Sequence, residues 1–316
     1  MANNLLRPQK LEEFFGQESI IKKLKVYIYS ANLRNAPLDH VLLFGPPGLG
    51  KTSLAQVIAS EMNSKFLSVN GASIEKISDI IEILSQIEPG EVLFIDEIHR
   101  LSKEIEETLY SVLEDFTLNI NYKNNERSKV ISLDVSPFTF IGATTNPGEL
   151  SLPLRNRFPI NFKFIYYSIE DLFKIIKNNT FKLNINLNDE AVYEIAKRSR
   201  KTPRISNNIL KRLVDYSCYH NLKKIDLKLI ISFFDFIGID SMGLDESDYQ
   251  FLSILHFKYL DKPVSLESVA FCLNENPNTL KNLSEPYLLS INLIERTKSG
   301  RKITKEGIKI ITKNMH

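Results

Sequence analysis

The octapeptide Gly45-Pro46-Pro47-Gly48-Leu49-Gly50-Lys51-Thr52 tells what kind of domain this chain begins with. Its spacing is G-x-x-x-x-G-K-[ST], the pattern of a loop that wraps a phosphate. Before it, His40-Val41-Leu42-Leu43-Phe44 reads as a short buried parallel strand. After it, Ser53-Leu54-Ala55-Gln56-Val57-Ile58-Ala59 carries apolar residues at helical spacing. Strand, loop and helix in that order are the context the pattern requires, and a chance glycine-rich turn does not supply it. The glycines let backbone N–H groups turn toward an anion, and the helix start adds its positive dipole end. Lys51 then reaches the outer phosphates, while the Thr52 hydroxyl suits Mg²⁺.

A second motif turns binding into chemistry. Val92-Leu93-Phe94-Ile95 is another buried-strand run, and it ends in Asp96-Glu97-Ile98-His99. Asp96, at the end of a strand beside the phosphate loop, suits the Mg²⁺ that Thr52 also sees. Glu97 is the natural general base for the water that attacks the γ-phosphate. An ordinary acidic turn would explain either carboxylate alone, but not the pair downstream of a phosphate loop. The two motifs predict a chain that binds and hydrolyses ATP.

Composition sets the outer bounds. The chain has 316 residues, enough for two or three domains, and its 43% hydrophobic and 25% charged content is that of a soluble globular protein. No apolar run approaches the ~20 residues of a membrane span. The N-terminus, Met1 to Pro8, lacks the charged-then-apolar pattern of a signal peptide. Cys218 and Cys272 stand apart without metal-ligand spacing, and are expected as reduced, buried thiols of a cytoplasmic protein. A net charge of +2 is too small to announce a nucleic-acid partner.

Strands are expected at Val41–Phe44, Lys65–Val69, Val92–Ile95, Phe138–Ala143 and Asn161–Ile165, alternating with helices, which is an α/β plan with a parallel sheet. The pattern then turns helical, with helices expected at Glu170–Lys177, Asp189–Arg200, Pro203–Cys218 and Leu227–Phe236. The run Gly238-Ile239-Asp240-Ser241-Met242-Gly243 breaks that periodicity. Beyond it, helices at Ser247–Tyr259, Leu266–Leu273 and Asn276–Glu285 precede two β-like pieces, Leu293–Thr297 and Arg301–Ile303, joined at Lys298-Ser299-Gly300. Three small helices and a hairpin make a winged helix, a DNA-binding variant of the helix-turn-helix. The expected domains are 1–167, a large ATPase domain; 168–238, a small helical lid; and 239–316, a winged helix.

Four further segments carry candidates. Phe138 to Asn146 is a strand that ends in small polar residues, where Thr145, or failing it Asn146, suits the lytic water or the γ-phosphate. A plain polar strand exit explains the segment alone equally well. Arg155 and Arg157 follow closely; an arginine reaching the γ-phosphate from a neighbouring subunit is worth ~10³–10⁵ in rate, whereas two arginines by themselves usually mark a solvated turn. Thr202-Pro203-Arg204 opens a helix with proline at its first position, so Arg204 is able to fold back on phosphates or simply lies exposed. Leu118–Leu133 reads as a polar-tipped hairpin that either extends the sheet or offers Ile120, Tyr122 and Ile131 to a partner. The segment from Lys281 to His316 holds eight Lys/Arg against three Glu, a local balance of +5 that suits phosphate contacts on a winged helix and otherwise reads as a solvated tail.

Together these motifs resemble the RuvB family of AAA+ ATPases almost end to end, from Leu6-Arg7-Pro8 and Phe15-Gly16-Gln17-Glu18 to Gly300-Arg301. The most specific pieces are Leu38-Asp39-His40-Val41-Leu42-Leu43 leading into the phosphate loop, and Val92 through Leu101. Pro137-Phe138, Ile141 to Thr145, Leu154 to Phe158, Thr202-Pro203-Arg204-Ile205, Glu114-Asp115-Phe116 and Glu285-Pro286-Tyr287-Leu288 add to the likeness. The resemblance implies a homohexameric ring on duplex DNA that drives branch migration at four-way junctions. The implied partners are a RuvA-like tetramer, bound through the 118–133 hairpin, and a RuvC-like resolvase. Residue by residue, it implies that Leu6, Arg7 and Tyr167 hold the adenine and ribose end. Gly48, Gly50, Lys51, Thr52 and Ser53 match the phosphate and Mg²⁺ contacts, and Glu114-Asp115-Phe116 a nucleotide-contacting stretch. Arg157 matches the arginine finger, Arg204 the second-sensor arginine, and Arg296 and Arg301 the DNA contacts of the wing.

The chain departs from the family pattern at Asn146-Pro147 (Arg-Ala expected), at Pro159 and Lys201 (glycine expected) and at the hairpin tip Lys123 to Glu126, which lacks Gly-Pro character. A clamp-loader-like AAA+ ATPase is the nearest rival reading, and it predicts no winged helix. A nucleotide-gated DNA-binding switch is the other rival, and it needs no base at Glu97.

Overall fold

The computed structural model describes residues 5–124, 127–222 and 224–313. The chain divides into two compact units, the first ending at Asp171 and the second beginning at Leu172. In the first, strands β1 (Val41–Phe44), β2 (Phe66–Asn70), β3 (Val92–Asp96), β4 (Thr117–Asn124), β5 (Arg127–Asp134), β6 (Thr139–Thr144) and β7 (Ile160–Lys163) are separated by helices, except that β4, β5 and β6 follow one another directly. Five of them form one parallel sheet in the order β2-β3-β6-β1-β7. β1, β3 and β6 are buried on both faces, which is why their sequences are nearly continuous apolar runs rather than alternating ones. The expected strands are therefore present, with ends shifted by one or two residues.

That strand order brings the ends of β1, β3 and β6 to one edge of the sheet. Phe44 pairs with Thr144 across β1 and β6, and Ile95 with Gly142 across β3 and β6. The phosphate loop leaves β1 at that edge, Asp96 ends β3 there, and Thr145 follows β6. Parallel sheets of this kind bind ligands beyond the carboxyl ends of their strands, where the order reverses.

β4 and β5 pair only with each other, in register from Thr117–Asp134 to Asn124–Arg127, so the hairpin does not extend the parallel sheet. Phe116, at a left-handed φ of +52°, turns the chain out of the helix Lys103–Asp115, and Val135 N–H bonds Phe116 C=O across the hairpin base. Ile131 is exposed; the side chains of Ile120 and Tyr122 lie outside those described.

At the opposite, amino end of β1 and β6, His40 is buried among Phe116, Phe138 and Phe140. Its Nδ1 accepts from Phe140 N–H and its Nε2 donates to Leu113 C=O, both at 3.1 Å. One imidazole thus ties β1, β6 and the end of the helix Lys103–Asp115 together.

The second unit contains the helices Asp189–Arg198, Pro203–Tyr219 and Leu227–Phe236, and then Glu246–Ser253, Leu266–Leu273, Pro277–Asn282, Ser284–Ser290 and Lys305–Lys313. Two expected helices are corrected. Asn276–Glu285 is broken at Leu283, because Pro286 in the next helix has no N–H to continue the ladder. Ser247–Tyr259 becomes a helix to Ser253 and a wider turn over Ile254–Lys258. β8 (Ile294–Thr297) and β9 (Gly300–Ile303) close on a two-residue loop, Lys298-Ser299. Gly300 sits at φ +139°, and a Cβ there would stand 2.2 Å from Val264 C=O, so only glycine admits the Val264–Arg301 backbone pairing that seats the wing.

The break at Gly238–Gly243 is a stitched turn. Asp240 Oδ1 accepts from Met242 and Leu244 N–H, and its Oδ2 accepts from the Tyr249 hydroxyl. Arg198 donates to Ile239 C=O, while Arg200 donates to Gly243 C=O and pairs with Asp245 and Asp248. The expectation of two buried thiols fails: Cys218 is exposed and Cys272 half-buried, its sulfur 3.0 Å from Lys258 Nζ. Both lie on helices whose apolar spacing also runs through the surface-facing positions.

Candidate nucleotide site and basic wing

The helix Lys51–Glu61 starts at the last glycine of the phosphate loop, so its unpaired first-turn N–H groups belong to the loop's end. Lys51 is buried, and its Nζ donates to Gly45 and Pro46 C=O at 2.8 and 2.9 Å, which aligns the ammonium along the loop. Burial lowers its pKa from the ordinary value, opposed by the charges of Glu97 and Asp96. Asp96 Oδ2 accepts from the Thr52 hydroxyl at 3.2 Å, and Oδ1 accepts from Glu97 N–H at 3.0 Å.

Glu97 has a left-handed backbone, φ +51°, at a sharp turn off β3. Its carbonyl packs over Gly71, where a Cβ would come within 2.7 Å. Its Oε2 accepts from the Thr145 hydroxyl at 3.2 Å. The two expected carboxylates and the expected threonine are therefore brought together at the sheet edge, and Thr145 spends its proton on Glu97. The Asn146 backbone N–H bonds Thr144 Oγ1.

A hydroxyl and a carboxylate oxygen in contact beside a buried ammonium fit magnesium well. That ion keeps waters and phosphate oxygens as ligands and needs only one or two protein oxygens. Among the described residues there is no cluster of three His, Cys, Asp or Glu that would hold a metal by itself.

Arg157 is engaged by its own chain. Nε donates to Tyr110 C=O, Nη1 to Pro153 C=O and Nη2 to Glu114 Oε2, and the guanidinium lies 4.6 Å over the Tyr110 ring. Glu114 and Asp115 are exposed beside it, while the Phe116 ring packs on His40 and Phe138. Tyr167 is buried with its hydroxyl donating to Leu49 C=O, inside the phosphate loop, and its ring fills the space a side chain at Gly16 would need. Leu6 is buried and Arg7 half-buried. Gln17 clamps the exit of β7, with Nε2 donating to Ile165 C=O and Oε1 accepting Ile165 N–H. Arg204, in the second unit, is exposed in the first turn of Pro203–Tyr219.

On the wing, Arg296 and Arg301 are cross-strand partners, and like charges so placed repel. A fully buried carboxylate, Glu285, lies between them, with Oε1 2.8 Å from Arg296 Nε and 2.7 Å from Arg301 Nε. Burial would push that carboxyl up, but the hydrogen bonds of Arg296 and Arg301 outweigh it and hold it below the usual range. The Arg301 side chain is only 21% exposed, that of Arg296 55%, so Arg296 has the larger free surface for a phosphate.

Sequence reasoning gave no role to His99, Thr144, Tyr110, Glu285 or Gly71. His99, Thr144 and Glu285 lay inside quoted motifs; nothing local marks Tyr110 and Gly71, because their partners lie tens of residues away.

Three family profiles match in order: the Holliday junction DNA helicase RuvB P-loop domain over residues 6–164, the RuvB AAA lid domain over 167–240 and the RuvB C-terminal winged helix domain over 241–312. The chain is 45% identical over 302 residues to the Holliday junction branch migration complex subunit RuvB of Pediococcus pentosaceus, covering 96% of this chain and 90% of that one. With the subunit of the same name from Leuconostoc mesenteroides it shares 44% identity, over 96% of this chain and 86% of the relative. The structure of the Thermotoga maritima RuvB Holliday junction branch migration motor superimposes with a TM-score of 0.88 at 40% identity, covering 98% of each chain.

Proposed function

Because the chain belongs to the RuvB family of P-loop ATPases, we propose that it is an ATP-driven DNA motor for branch migration of Holliday junctions in recombination and repair. The observation that carries this reading is the pairing of Thr52 with Asp96 and of Thr145 with Glu97 at one sheet edge, in a chain that ends in a winged helix. A mere nucleotide-gated switch has no use for an oriented base. A clamp loader has no use for the wing.

In this mechanism Lys51 pairs with the phosphates, with Gly48, Gly50 and Ser53 framing them, while Leu6, Arg7 and Tyr167 hold the base and ribose end. Thr52 and Asp96 would hold Mg²⁺, which neutralises phosphate charge when bound. Glu97 takes a proton from water as that water attacks the γ-phosphorus, and the bond to the bridging oxygen of ADP breaks. Thr145 steadies Glu97. Arg157 and the Glu114-Asp115-Phe116 stretch serve the pocket of a neighbouring subunit in a homohexamer, and Arg204 couples the lid to nucleotide state. The domains run 1–167, 168–238 and 239–316. Arg296 and Arg301 form the wing's DNA face, the 118–133 hairpin docks a RuvA-like tetramer, a RuvC-like resolvase follows, and the protein works in the cytoplasm. No described helix is long and apolar enough to cross a membrane.

The test is migration of a synthetic four-way junction with ATP, with and without the cognate RuvA-like protein. Wild type should move the junction and Glu97→Gln should bind ATP without moving it. Turnover of Glu97→Gln within severalfold of wild type would remove Glu97 as the base. Absence of migration by wild type under every condition that supports its ATP turnover would remove the motor reading.

A further inference from the structure

Thr144 ends β6 and is fully buried. Its polar groups reach the phosphate loop, the chain after β6 and the turn after β3. The carbonyl accepts from Gly45 N–H, where the phosphate loop begins, at 3.2 Å. The hydroxyl oxygen accepts from Asn146 N–H at 2.9 Å and lies 2.9 Å from His99 Nδ1. His99 belongs to the 3₁₀ turn Ile98–Arg100, which Glu97 opens. Ile98 of that turn packs on Gly142, where a Cβ would stand 2.9 Å from its side chain.

The hydroxyl makes both bonds whichever ring nitrogen of His99 carries the proton. Oγ1 has one proton and two lone pairs, and Asn146 N–H uses one lone pair. With the ring proton on Nε2, Oγ1 donates to Nδ1; with it on Nδ1, the second lone pair accepts. The bond from Asn146 N–H closes a threonine turn, a local bend of the chain around the hydroxyl. Thr145 lies inside that bend, and its own hydroxyl donates to Glu97 Oε2 at 3.2 Å. The bond to His99 anchors the same bend to the turn that carries Glu97. The chain neighbours of Thr145 and Glu97 are thus bonded to each other, beside the contact that Thr145 and Glu97 make.

We propose that Thr144 is a positioning residue for hydrolysis: its hydroxyl ties the bend carrying Thr145 to the turn carrying Glu97, and so sets the Thr145–Glu97 contact. This rests on Glu97 being the base. The effect is geometric, and a displacement of about 1 Å in such a contact costs about 100-fold in rate. Sheet pairing fixes β3 and β6 only as far as their ends, and both reacting side chains lie just beyond them. A bond between the two exits carries the register of the sheet out to the pair.

The experiment compares Thr144→Val, Thr144→Ser, Thr145→Val, the double variant Thr144→Val with Thr145→Val, and Glu97→Gln, all in the full chain. Steady-state ATP turnover with duplex DNA and affinity for a non-hydrolysable ATP analogue are measured for each. Valine keeps the shape of threonine without the hydroxyl, whereas serine keeps the hydroxyl without the methyl. Thr144→Val should lower kcat about 10- to 100-fold with analogue affinity within about twofold, and Thr144→Ser should stay within about threefold of wild type. Once Thr145→Val has removed the contact, adding Thr144→Val should cost only about twofold more. A packing role would reverse the order and make serine worse than valine. Near-normal turnover by Thr144→Val, serine no better than valine, full additivity of the two valines, or analogue affinity falling in step with kcat overturns the proposal. Each of those failures touches Thr144 alone. Turnover of Glu97→Gln within severalfold of wild type would bring down the base assignment, and the role of Thr144 with it.

Discussion

Glu114 Oε2 accepts a hydrogen bond from Arg157 Nη2 at 2.8 Å, and the guanidinium it fixes lies over the Tyr110 ring, 4.6 Å from its centre. The carboxylate is 61% exposed, so the pair adds little stability. What it supplies is direction, since Tyr110 and Pro153 carbonyls and the Glu114 carboxylate hold the guanidinium on three sides.

Arg157→Ala should therefore bind ATP near normally and lose about 10³-fold or more in turnover, if it completes a neighbour's pocket. Mixing it with Lys51→Ala subunits should restore part of that turnover, because some interfaces then pair an intact Lys51 with an intact Arg157. Turnover assayed across mixing ratios checks this; a flat response would assign Arg157 to its own subunit.

The wing arginines should separate. Arg296→Ala should flatten the slope of log K against log salt for duplex DNA by about 0.9, one phosphate contact, and should lower the unfolding midpoint less than Arg301→Ala does, because Arg301 keeps both its bonds to Glu285. Arg301→Ala removes two hydrogen bonds to the buried Glu285 and leaves Arg296 as its partner, so it should lower stability by about 1–3 kcal/mol. Salt titrations of duplex binding and urea unfolding of both variants test the division.

Arg200 is a similar case. It pairs with Asp248, whose side chain is fully buried and whose Oδ1 has no hydrogen-bond partner among the described residues. Burial pushes Asp248 up to about 6, against the pull of Arg200. A carboxyl raised this way favours the folded state most at low pH, and that contribution is lost as pH rises through about 6. Arg200→Ala should cost about 3–5 kcal/mol at pH 7.5 and distinctly less at pH 5, where Asp248 carries its proton. Urea unfolding at the two pH values measures it.

His40 should make the first unit acid-sensitive. Burial lowers it from 6.5 to about 4, against the Leu113 hydrogen bond, so the unfolded chain takes up the proton first. Its contribution is fully present above pH 6.5 and drains away as pH falls to about 4, for a total of about 3 kcal/mol. His40→Gln should be less stable at neutral pH and should lack that part of the slope, as urea midpoints between pH 4 and 7 would reveal.

Local patterning was enough to read the parallel sheet, the phosphate loop, the acidic strand end, the helical run after it and the terminal hairpin. Each is a local signal: an apolar run of strand length, a glycine spacing, a helix opened by proline, a tight turn at Lys298-Ser299-Gly300. Where local patterning was ambiguous it misled, as with the helix broken by Pro286 and the thiols of Cys218 and Cys272. How side chains far apart in the chain come to share one atom is set by packing. Thr145 and Glu97 meet because β3 and β6 are neighbours in the sheet; Arg296, Arg301 and Glu285 meet because the hairpin folds back on a preceding helix. Such meetings depend on strand order and burial, which arise from packing the whole domain, and no stretch of residues carries them alone.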